Sequence, residues 1–156
     1  RRLAFSAWDE ARTADFVANH AGLSAEDSIR LARMSKGAPG RAMALAAAGA
    51  LEVDRTAYEI LRKLPQIDEA QLLAVTDGFR GGEGQARFNL IIERIADQVR
   101  DMALQSAAAG ETGGLDRWAQ AWSRLDALPG EVEAVNLDRT DAFFTAIGEL
   151  RAAARP

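Results

Sequence analysis

"LARMSKGAPGRAMALAAAGAL", residues 31–51, decides the fold class. Apolar residues recur at three- and four-residue spacing on both sides of a break made by Gly37, Pro39 and Gly40, so the stretch reads helix, turn, helix, with no strand between. Gly37 ends the first run. Pro39 fits the first turn of the second, where its missing N–H has no intrahelical partner to lose. Arg41 follows one residue after the break, near a helix N-terminus, where the macrodipole disfavours a cation. Its placement therefore calls for a carboxylate partner or a functional reason. The same position offers free N–H groups and a forked guanidinium to a phosphate presented from outside. The residues alone leave both readings open.

Working outward, the helical period persists and no segment alternates with the period of two of a half-buried strand. A first helix follows Ser6 and carries Trp8, Ala11, Phe16 and Val17, ending at Gly22. Ser24 with Asp27 three residues later caps a second, through Ile29, Leu31, Ala32 and Met34. With the helix from Pro39 to Gly49 these make a compact unit of about fifty residues. A fourth helix spans about 53–64 and stops at Pro65. Asp68 with Gln71 caps a fifth, bearing Leu72, Leu73 and Val75. The loop "GFRGGEGQ", 78–85, precedes the longest helix, whose apolar face is Phe88, Ile91, Ile92, Ile95, Val99 and Met102. After "AGETGG", 109–114, a helix with Trp118, Ala121, Trp122 and Leu125 ends near Pro129, and a last one starts at Asp138, with Asp141 three residues on. The expected fold is all-α: a three-helix domain over 1–50 and a bundle of about five helices over 51–156.

Composition narrows the function. The 156 residues are 48% hydrophobic and 27% charged, enough for one core or two small ones and unlike a disordered chain. The formal charge is −4 with 19 basic residues interspersed among 23 acidic ones, so nonspecific attraction to DNA phosphates is not what this chain supplies. There is no cysteine, hence no disulfide or thiolate metal site, and the composition suits a cytoplasmic protein. No apolar run approaches the ~20 residues that span a bilayer. The start on Arg1-Arg2-Leu3 reads like an excised piece, so the lack of a leader there carries no weight.

Little else invites chemistry. The glycine loop at 78–85 lacks the spacing and lysine of a P-loop and joins helix to helix, so it reads as a turn. His20 has no serine, cysteine or second histidine near it and reads as a helix C-terminal residue beside Gly22. Asp9-Glu10 and Glu131 with Glu133 read as solvated faces. Trp118 and Trp122, four apart, form a core seam or subunit contact before they form a base-stacking platform.

Residues 31–51 resemble the lid of AAA+ clamp-loader subunits, which commonly carry Gly-Ser-Pro-Gly-Arg-Ala at this turn; Gly37, Pro39, Gly40, Arg41 and Ala42 match and Ala38 stands where serine is usual. "FRGGEGQARFNL" and the closing "AVNLDRTDAFFTAIGELRAAAR" resemble the C-terminal domain of the bacterial DNA polymerase III delta prime family, so the resemblance covers essentially the whole chain. It implies that residues 1–50 are a lid, that Arg1-Arg2-Leu3 end the last strand of an ATPase core, and that 51–156 are a collar domain that packs against the other subunits. Arg41 takes the sensor 2 position, on a scaffold of Gly37, Pro39 and Gly40, with no catalytic or metal-binding residue. Expected partners are the gamma/tau and delta subunits, which handle ATP so that this piece needs no cofactor. Sliding clamp and primed DNA are met only through the complex, and no membrane is involved. Trp118, Trp122, Phe143 and Phe144 are the candidate collar contacts. The alternatives are the lid and collar of another AAA+ protein, such as gamma/tau or a Holliday-junction helicase, or an unrelated helical interaction domain.

Overall fold

The computed structural model describes residues 6–64, 66–111 and 113–155, and among them the fold is all-α. Eight α-helices run α1 (Glu10–Ala21), α2 (Ala25–Ser35), α3 (Pro39–Ala47), α4 (Ala50–Lys63), α5 (Glu69–Thr76), α6 (Gly84–Ala108), α7 (Leu115–Val135) and α8 (Arg139–Ala153), with a 3-10 turn at Asp77–Phe79. They fall into two compact units that divide between Val53 and Asp54. Pro65, the expected stop of the fourth helix, and Arg1-Arg2-Leu3, the expected strand tail, lie outside the described residues.

In the first unit α1, α2 and α3 pack on one another. The core is Val17 from α1, Leu31 and Ala32 from α2 and Ala42 and Leu45 from α3. Arg33 Nε donates to Glu10 Oε1 at 2.8 Å and ties α2 to α1. The first helix begins four residues later than Ser6, because Asp9 holds extended backbone and its carboxylate accepts from Arg12 N–H at 2.7 Å. Asp9 is thus a cap rather than part of a solvated charge pair, and Trp8 lies ahead of the helix. Ser24 caps α2, accepting from Asp27 N–H at 3.1 Å.

The second unit is built on an antiparallel pair, α6 and α7, with α8 against both and α5 against α8. Phe88, Ile92, Ile95 and Val99 line the buried face of α6, and Phe143, Ile147 and Leu150 that of α8. Phe79 stands edge-on to Phe88 and to Phe143, each at 5.4 Å between ring centroids, so the 3-10 turn supplies a central core ring. Gln98 fastens α6 to α4, its amide donating to the Asp54 carbonyl and to Asp54 Oδ1, both at 2.9 Å. Asp68 and Asp138 cap α5 and α8 through their carboxylates.

The seventh helix departs from expectation at Pro129, which stands inside α7 rather than at its end. Proline removes one i→i−4 bond and crowds the carbonyl before it, which costs an interior helix about 3 kcal/mol. Here the helix continues because Val132, one turn on, is buried at 2% exposure. It stops instead at Asn136 in the left-handed conformation (φ 52°), where Leu137 N–H donates back to the Val132 carbonyl at 3.1 Å.

Candidate functional site

The break at residues 36–41 is a rigid turn. Lys36 (φ 53°) and Gly37 (φ 78°) both take the left-handed conformation and reverse the chain after α2. Gly37 is buried, and a Cβ placed on it would lie 2.2 Å from the carbonyl oxygen of Trp8 and 3.1 Å from the Ala7 Cβ. In return, Trp8 N–H donates to the Gly37 carbonyl at 2.9 Å. The segment leading into α1 is therefore clasped to the α2–α3 turn at one residue from both sides, and only glycine allows it. Trp8 is itself held, edge-on to Phe16 at 5.7 Å and under the Arg12 guanidinium at 3.9 Å.

Past the clasp, Ala38 takes the N-cap position of α3 with extended backbone and no side-chain hydrogen bond. A serine there would have a hydroxyl to offer; alanine leaves the first-turn N–H groups without it. Pro39 sits at the first helical position. Gly40 has open space around it and an ordinary backbone, so its lack of a side chain answers no local packing demand. Arg41 lies exposed on the first turn of α3, carried by a short helix whose entry angle is fixed by Gly37 and whose floor is the buried Ala42 and Leu45. An exposed guanidinium beside the first-turn N–H groups of a helix has the chemistry to meet an anion.

The four aromatic candidates of the second unit do not share one surface. Phe143 is fully buried against Phe79, so it serves this unit's own core and is unavailable to a partner, which corrects its place among the contact residues. Phe144 is half-buried and edge-on to Phe143 at 6.1 Å. Trp118 and Trp122 are half-buried on α7. The large apolar side chains that this unit leaves exposed are instead Tyr58, Leu73, Met102, Leu104, Val135 and Leu137.

Two features escaped the sequence. Arg94 on α6 is only 2% exposed; it donates to Asp97 Oδ2 at 2.7 Å and Glu93 Oε1 at 3.1 Å, while its Nε is buried without a hydrogen-bond partner. A spacing that places it among Ile91, Ile95 and Val99 was the available signal. Arg139 opens α8 and donates to the Phe79 carbonyl. That same carbonyl lies 1.9 Å from where a Cβ on Gly84 would be. The 78–85 loop is thus a structural turn in which glycine is needed for close packing, with Phe79 turned inward. His20 closes α1 as expected, stacked on Phe16 at 4.1 Å, its Nδ1–H donating to the Phe16 carbonyl at 2.8 Å.

Among the described residues no group of three or more histidine or carboxylate side chains is placed to hold a metal ion, and no helix is long and apolar enough to cross a membrane. A shallow groove of about 570 Å³ opens between α7 and α8, floored by Ala121, Ala152 and Ala153 and edged by Arg117, Arg124 and Glu149. No protein-family model, curated protein or solved structure matches the chain.

Proposed function

We propose that the chain is a non-catalytic assembly module, the lid and collar of a clamp-loader stator of the delta prime type, acting within a cytoplasmic complex that loads the sliding clamp onto primed DNA. The observation that carries this reading is the Gly37-Ala38-Pro39-Gly40-Arg41 turn, where a glycine clasp and a proline at the first helical position deliver an exposed arginine on a fixed helix start. A sensor 2 residue needs that arrangement, because it must report on a nucleotide held by a different domain. In this reading Arg41 faces such a domain, ATP is bound and hydrolysed by partner subunits, and residues from about 51 onward supply the packing against gamma/tau and delta. The exposed apolar side chains Tyr58, Leu73, Met102 and Leu104 are the first contacts to examine, ahead of the half-buried Trp118, Trp122 and Phe144.

The test is light scattering on a size-exclusion column with the chain alone and mixed with the collar regions of gamma/tau and delta. A discrete hetero-oligomer that contains this chain, and that Leu104→Asp or Tyr58→Asp weakens, is the expected result. Independent elution in every mixture at about 10 μM overturns the reading.

A further inference from the structure

Two caps compete for the start of α1. In the structure Asp9 holds extended backbone and its carboxylate accepts from Arg12 N–H at 2.7 Å, so the helix begins at Glu10. Three residues earlier stands Ser6, and Ser6-Ala7-Trp8-Asp9 has the order of a capping box, a hydroxyl at the N-cap and an acid three residues on. A helix starting at Ala7 would open on the best helix former and keep Asp9 in its first turn, where a carboxylate is favoured. The local sequence therefore supports one more turn of α1. What prevents it lies across the unit: Trp8 N–H donates to the Gly37 carbonyl at 2.9 Å. The Trp8 carbonyl oxygen, which a longer helix would offer to Arg12 N–H, sits 2.2 Å from where a Cβ on Gly37 would be.

The α2–α3 turn depends on the same contact. Lys36 is a non-glycine residue at φ 53°, and Ala38 gives α3 no side-chain cap, so the turn draws support from outside its own residues. We infer that residues 6–9 are a two-state strap. Closed, they are extended and clasped to Gly37; open, they wind into a further turn of α1 capped by Ser6, and the start of α3 is loosened. Ala7 is exposed and Trp8 half-buried, so opening uncovers little apolar surface. Arg12 lies 3.9 Å from the Trp8 ring in the closed form and stands four residues from it, the spacing of neighbours on one helix face, so both forms keep that contact. The Arg33–Glu10 bond and the core of Val17, Leu31 and Leu45 lie outside the strap, which makes the opening local. Two discrete arrangements of one segment thus link the direction in which the chain enters α1 to the helix start that carries Arg41. The strap stands whether or not the chain joins other subunits.

Backbone NMR with amide exchange on the full 156-residue chain tests it. In the parent, the carbon shifts of Ala7 and Trp8 are extended and Trp8 N–H exchanges at least about tenfold more slowly than Ala7 N–H. Trp8→Ala is the deciding variant, since it removes the ring contacts, raises helix propensity and introduces no clash. It moves the Ala7 shifts to helical values and speeds exchange of Ala42 N–H, bonded to the Ala38 carbonyl at 3.0 Å, at least about threefold. Val17 and Leu31 keep their protection. Gly37→Ala gives the same shift at Ala7 by barring the closed form. Ser6→Ala added to Trp8→Ala reduces the helical shift at Ala7 by about half, because the open form loses its cap. An Ala7 that stays extended or turns to random coil in Trp8→Ala overturns the inference. So does a helical shift that Ser6→Ala leaves unchanged, or an Ala42 exchange rate equal to the parent's.

Discussion

Two glycines three residues apart in one motif have opposite roles. Gly37→Ala would force a Cβ against the Trp8 carbonyl while holding φ at 78°, so it should lower stability by about 2 kcal/mol or more in urea unfolding. Gly40→Ala meets open space in the first turn of a helix and should be neutral or stabilise by up to about 1 kcal/mol. Ala38→Ser adds the hydroxyl cap that α3 lacks and should stabilise by about 1 kcal/mol. Glu59 gives the clearest pH signal. Hydrogen bonding from Arg62 holds its carboxyl below the ordinary 4.5 against an opposing desolvation, with the Arg62 charge and Lys63 adding to the lowering. A folded value below the unfolded one means that the contribution is present above pH 4.5 and is lost as pH falls through the folded value. The stability difference between the parent and Glu59→Gln should therefore be visible near neutrality and vanish in acid. Both side chains are about half exposed to solvent, which screens the pair, so the difference is small.

At the scale of elements, helix starts were legible wherever a short polar side chain precedes an acidic first turn: Ser24, Asp68 and Asp138 all cap as their sequence context indicates. The start of α1 was misplaced because Ser6 and Asp9 both have the chemistry of a cap, and the choice is made by the Trp8–Gly37 clasp 29 residues away, which holds the lead-in extended. The end of α7 was misplaced for a related reason. A proline signals a local cost, and the burial of Val132 that offsets it is a tertiary fact. Pro129→Ala should accordingly stabilise the protein by about 1–3 kcal/mol, read as an upward shift of the urea midpoint, because it restores one backbone bond in a helix that already exists. Phe79 was hidden by its glycine-rich surroundings, and Arg94 by its charge. In both cases composition suggested surface while packing placed the side chain inside.

For the whole molecule, the all-helical architecture follows from the period of the apolar residues alone. The site is legible in outline, since the Gly-Pro-Gly-Arg order shows a turn followed by an arginine, but the clasp that makes the turn rigid depends on Trp8 and could not be seen from residues 31–51. The acidic chain, with basic residues dispersed, should show no binding to a short labelled DNA duplex by fluorescence anisotropy below about 100 μM at about 0.15 M salt, since duplex affinity without phosphate neutralisation has little to draw on. Any DNA association by an assembly that contains it then comes from other chains.

The two units also differ in how far along the chain their contacts reach. In the first, every helix packs on a neighbour within about thirty-five residues and the clasp spans 29, whereas the core ring of the second joins Phe79 to Phe143 across 64. Loop closure is the slow part of such a search. The N-terminal helices should therefore assemble first, each within the time of a local collapse. The second unit must wait until α8 returns to cover Phe79, and during synthesis that keeps its aromatic core open until α8 itself has emerged.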